Sequence, residues 1–92
     1  MASGIWVQYW EESERGWGTR PDGCWLYATE ASAKSHTQLQ LSKMRAEEAK
    51  IYGRAVPDEY SRPVGQPQFK EVTHKLARRV EKERKLFQQT WI

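Results

Sequence analysis

Arg15-Gly16-Trp17-Gly18-Thr19-Arg20-Pro21-Asp22-Gly23-Cys24-Trp25-Leu26-Tyr27 holds three of the chain's six glycines and two of its five tryptophans. It has to reverse the chain and begin a strand, so its reading decides the fold. Pro21 sets φ for the first central position of a type I turn, Asp22 suits the second, and Gly23 takes the left-handed position after them. Cys24-Trp25-Leu26-Tyr27-Ala28 then alternates with the period of a strand. Cys24, Leu26 and Ala28 face one way; Trp25 and Tyr27 face the other. Gly16 and Gly18 let the backbone bend beside Trp17. The indole either folds back as a structural plug, or the loop presents Trp17 and Arg20 to a partner.

Upstream, Ile5-Trp6-Val7-Gln8-Tyr9-Trp10 is rich in β-formers and alternates, with Ile5, Val7 and Tyr9 set against Trp6, Gln8 and Trp10. It is the expected first strand. Glu11-Glu12-Ser13-Glu14 reads as an acidic loop. The strand over Cys24–Ala28 is expected to pair antiparallel with the first, although the connection is long for a hairpin. Alternatively, Trp17–Thr19 pairs with Cys24–Leu26 across the Pro-Asp-Gly turn.

Downstream, Thr29 suits an N-cap and Glu30 a first helical turn. Residues 30–52 contain no Pro or Gly, and Gly53 is a natural terminator. Ala33, Thr37, Leu41, Met44, Ile51 and Tyr52 share a stripe. Glu48 falls on it and Leu39 opposite, so the amphipathicity is imperfect. Residues 54–67 hold three of the four prolines. There, Val56-Pro57-Asp58-Glu59-Tyr60-Ser61-Arg62-Pro63 reads as an extended, turn-rich connection pinned to the sheet by Tyr60. Gln68–Thr73 suits either a third strand through Phe69 and Val72 or the start of the last helix. Thr73 can cap a helix from His74 to about residue 89, with Leu76, Val80 and Phe87 on one stripe and Trp91 close to it.

The fold expected is therefore α+β: one small domain over residues 1–92, a β-hairpin or three-stranded sheet packed by two helices, in the order ββα(β)α. Its parts are an aromatic hairpin (5–28), a helix (29–53), a Pro-rich connection (54–67), and a short strand or turn followed by a basic amphipathic helix (68–92). Ninety-two residues permit only a small core, which dimerisation could support, so a monomer and a homodimer both stay open. No window is long and apolar enough for a transmembrane span, and the N-terminus lacks the pattern of a signal peptide. A single cysteine, Cys24, excludes an internal disulfide and suits a reducing compartment. With two distant histidines it offers no zinc site, so neither metal nor cofactor is expected.

The charge is concentrated. Residues 70–85 carry seven Lys or Arg against three Glu, a net of +4, which leaves −1 for the rest of the chain. At helical spacing Lys75, Arg78, Arg79, Lys82 and Lys85 form one basic stripe. It can meet an acidic protein, contact nucleic-acid phosphates, or stand as a solvated face eased by Glu81 and Lys85 at i,i+4. If helices cover the Ile5/Val7/Tyr9/Cys24/Leu26 face, then Trp6, Trp10, Trp25 and Tyr27 form an aromatic patch on the other. That patch is either an interface or is covered by the long loop and the tail with Trp17 and Trp91. His36 and His74 lack a neighbouring Ser, Cys or carboxylate constellation in sequence, Cys24 suits a small buried position, and no glycine-rich phosphate loop occurs. No catalytic residue is expected.

The pair Arg15-Gly16-Trp17-Gly18-x-Arg20-Pro21-Asp22-Gly23-x-x-Leu26 and Val56-Pro57-Asp58-Glu59-Tyr60-Ser61-Arg62-Pro63 resembles small uncharacterised proteins of bacteriophages and mobile elements. The resemblance spans roughly residues 5–72; a longer first helix and a basic C-terminal extension depart from it. It implies an inhibitor in the bacterial cytoplasm, of the kind to which anti-CRISPR proteins belong, acting on a host protein or nucleoprotein complex. The function expected is a non-enzymatic binding protein that occupies a protein surface or a nucleic-acid channel. The alternative is a small nucleic-acid-binding protein using the basic helix.

Overall fold

The computed structural model describes residues 3–14, 18–52 and 60–92. The order is β1 (Ser3–Glu14), β2 (Gly18–Tyr27), α1 (Glu30–Tyr52), β3 (Tyr60–Pro63), β4 (Gln68–Val72), α2 (His74–Glu83) and β5 (Lys85–Gln88). The fold is α+β, with one five-stranded antiparallel sheet and two helices.

β1 is the strand around which the others assemble. One side pairs with β2 over most of its length; the other is shared, with β4 along Ser3–Val7 and β3 along Trp10–Ser13. β5 adds to the far side of β2, setting Cys24 opposite Gln88 and Leu26 opposite Leu86. Ile5, Val7, Tyr9, Cys24 and Leu26 point to one face and bury there against Val80 of α2, with Leu76, Ala77 and Leu86 packed around them. α1 lies on the opposite face, over Trp25 and Tyr27.

The expected Pro-Asp-Gly turn is a bulge instead. Gly18, Thr19, Arg20 and Pro21 already pair with Glu14, Ser13, Glu12 and Glu11. The acidic "loop" is thus the second half of β1, and the alternative hairpin across Pro21–Gly23 does not form. Between Tyr9↔Cys24 and Glu11↔Pro21 the register shifts, so Asp22 and Gly23 together oppose Trp10. Gly23 does take positive φ, at 87°, but as the glycine of a bulge rather than of a reversal. Pro21 is tolerated because β5 stops at Cys24 and leaves that part of β2 an edge. The bend around Arg15–Trp17 lies outside the described residues.

Both helix caps form as the sequence implies. Thr29 Oγ1 accepts from Ser32 N–H at 3.1 Å, and Thr73 Oγ1 from Leu76 N–H at 3.3 Å. Gly53, the expected terminator of α1, lies outside the described residues, as do Val56–Glu59 and the side chains of Glu48, Ile51, Tyr52 and Tyr60. The end of the Pro-rich segment is more regular than a connection: the backbone of Tyr60–Pro63 is a strand on β1. The open choice over residues 68–73 resolves as strand β4.

The last helix is shorter than expected. It ends at Glu83, Arg84 turns with φ 70°, and residues 85–88 form β5. The outer backbone groups of the buried strand Cys24–Tyr27 require partners, and β5 supplies them. Lys85 and Phe87 therefore leave the helical stripe.

Candidate functional site

α2 begins with its cap at Thr73 and turns Leu76, Ala77 and Val80 to the core, Val80 completely buried. Three and four residues apart, Lys75, Arg78, Arg79 and Lys82 are thereby held outward, all exposed. Their only ion pair among the described residues joins Arg79 Nε to Glu83 Oε2 at 3.8 Å, one turn along the same exposed surface. A pair so open to water adds little to stability. The helix thus fixes a row of cations, from Lys75 to Lys82, about 10 Å long. Lys85, expected to extend it, stands on β5 on the opposite face of the sheet, across from Tyr27, so it neither joins the row nor pairs with Glu81.

The aromatic residues are not an open patch. Trp10 and Tyr27 are buried, while Trp6 and Trp25 are half-buried. What covers Trp25 and Tyr27 is α1: Ala33 and Thr37, both on the expected stripe, are buried there, and so is His36, which that stripe left out. Tyr27 Oη and His36 Nδ1 lie 2.6 Å apart, and His36 Nε2 is 3.1 Å from Gln40 Nε2. The imidazole also meets Trp25 edge-on at 4.6 Å. Burial pushes the Tyr27 phenol up to about 12. Burial first, then the charges of Lys85 and Lys43, hold His36 below the usual histidine range and so neutral. Trp6 meets Phe69 edge-on at 5.6 Å. Trp91 goes to the α2 face instead, its ring 4.9 Å from Tyr9 and its indole N–H donating to the Trp10 carbonyl.

Of the remaining candidates, Trp17 lies outside the described residues. Arg20 is exposed and binds Glu12 across the hairpin at 2.9 Å. Cys24 is fully buried, and that burial raises its thiol pKa. His74 has a neighbour the chain order hid: Ser3 Oγ, 71 positions away, lies 3.2 Å from Nδ1. Among the described residues no carboxylate hydrogen-bonds this ring, so the pair lacks the oriented base of a nucleophilic site. No group of His, Cys, Asp and Glu among them could hold a metal ion, and among the described residues no helix is long and apolar enough to cross a membrane.

The structure thus separates the eleven candidate contact residues. Lys75, Arg78, Arg79 and Lys82 form one surface, Trp25, Tyr27 and Lys85 border a second region under α1, and Arg20 stands apart on the hairpin. No family model, curated protein or solved structure matches the chain.

Proposed function

We propose that this chain is a non-enzymatic binding protein, a phage or mobile-element inhibitor of a host defence complex of CRISPR type or of a nucleic-acid-processing complex, docking on an acidic protein surface through α2. The observation that carries the docking surface is the row Lys75, Arg78, Arg79 and Lys82, exposed on a helix whose other side is locked into the core. The helix backbone that carries the row needs no ordering when a partner arrives, and the field of the row speeds encounter. The mobile-element assignment rests on the Arg15–Leu26 and Val56–Pro63 motifs. Glu81 and Glu83 stand among the cations. A polyanion is repelled by such carboxylates, whereas a protein surface can match a mixed pattern.

Reversing Arg78 and Lys82 to Glu tests this reading. Both are exposed, so folding should persist, as circular dichroism would verify. We expect the parent protein to capture a host protein or nucleoprotein complex from bacterial lysate and the variant to lose it, mainly through slower association. Micromolar binding to non-specific duplex DNA at physiological salt, abolished by the reversal and falling with a log–log slope near −0.9 per phosphate, would establish the nucleic-acid alternative instead.

A further inference from the structure

On the other side of the molecule, a cavity of about 400 Å³ opens between α1 and the junction of α2 with β5. Ser32, Ser35, His36 and Leu39 line it from α1. Their spacing of i, i+3, i+4 and i+7 makes them one helical stripe. Ser32 Oγ accepts from Thr29 Oγ1 at 2.9 Å, which leaves its own proton to donate. Leu39 is half exposed (50%), an apolar side chain at the cavity that the fold does not cover. Arg84 and Lys85 supply cations from the facing junction, and the buried Tyr27 lies beneath. Glu83 also borders the space, with its carboxylate 3.8 Å from Arg79 Nε.

We propose that this cavity binds a small organic anion, an oxyanion group carried on a short apolar body. Arg84 and Lys85 hold the charge, the Ser32 and Ser35 hydroxyls donate to it, and Leu39 takes the apolar part. The arrangement pairs cations on one wall with hydroxyls on the other, beside the apolar surface of Leu39, as small-ligand sites do. His36 reports on occupancy. It faces Tyr27 from β2, Lys85 from β5 and Lys43 from α1, with Arg84 and Glu83 at the junction. The two lysines disfavour its protonation. An anion held by Arg84 and Lys85 offsets the Lys85 charge, so binding raises the His36 pKa and, reciprocally, tightens as pH falls through it.

Phenyl phosphate is a suitable probe, with inorganic phosphate as the comparison, followed by NMR chemical shifts of the whole protein. We expect saturable shifts at Ser32, Ser35, His36, Leu39 and Lys85, tighter binding of phenyl phosphate than of phosphate, and an upward-moved His36 titration at saturation. Lys85→Gln should weaken binding about tenfold, the loss of one charge-assisted contact. Ser35→Asp, an exposed helix position, is a second variant that places a negative charge in the wall and should weaken it at least as much. The Arg78→Glu/Lys82→Glu protein should bind the probe like the parent, which separates this site from the docking row. Shifts confined to Lys75–Lys82, equal affinity for the two phosphates, or affinity unchanged in both cavity variants would overturn the proposal.

Discussion

Gly23 shows how one residue can be read correctly for its conformation and wrongly for its context. The Pro-Asp-Gly triplet announces a positive φ, and Gly23 has one. A bulge and a turn ask the same thing of that glycine, and only the partner strand distinguishes them. The context changes the energetics. A Cβ built on Gly23 would lie 2.6 Å from Phe87 Cζ and 2.8 Å from the Gln88 carbonyl oxygen, whereas one on Gly18, also at positive φ, meets nothing within 4 Å. Gly18→Ala therefore incurs backbone strain alone, about 1 kcal/mol. Gly23→Ala adds a clash with β5 that backbone atoms cannot relieve, and should cost about 3 kcal/mol. Urea midpoints of the two variants check this; equal shifts would show that β5 does not lie over Gly23.

At the scale of elements, what was legible was local. The alternation of Ile5–Trp10 and Cys24–Tyr27, the caps Thr29 and Thr73, and the burial of Leu76 and Val80 all follow from spacing and side-chain chemistry. So does the row Lys75–Lys82, because it is the far side of the same stripe. What escaped depended on tertiary partners. On α1 the expected stripe includes Ala33 and Thr37, which are buried, but leaves out His36 and Gln40, whose polar contacts an apolar count cannot reveal. Leu86 and Phe87 fit a continuing helix as well as a strand, and the unpaired edge of β2 decides between them. Arg84 bears the strain of that decision, being the only non-glycine at positive φ among the described residues. Glycine suits such a position after a helix. Arg84→Gly should thus stabilise the protein by about 1 kcal/mol, the relief of strain exceeding the added chain entropy. A lower thermal midpoint in the variant would show that the arginine side chain contributes more than its backbone costs.

At the scale of the whole molecule, the last eight residues, expected mostly to continue the final helix, complete the sheet instead. Residues 85–92 close the sheet: β5 pairs with β2 and packs Leu86 into the main cluster. Beyond it, Tyr9 Oη donates to the Ile92 carbonyl at 2.6 Å and Trp91 Nε1 to the Trp10 carbonyl at 3.0 Å, so the tail is anchored on the central strand β1. Removing residues 85–92 would strip the outer edge of β2 of its hydrogen bonds and uncover Cys24 and Leu26, both fully buried. In a chain of this size, whose total stability is of the order of 5–15 kcal/mol, that loss should be about 4 kcal/mol or more. Removing only residues 91 and 92 forfeits the Trp91 ring contact and two hydrogen bonds, and should cost about 2 kcal/mol while leaving the fold intact. Urea unfolding followed by circular dichroism, with dye binding to report exposed apolar surface, separates the cases. The shorter deletion should unfold cooperatively at a lower midpoint. The longer one should lose cooperativity and bind the dye without denaturant, whereas an unchanged midpoint there would mean that the sheet is complete with four strands.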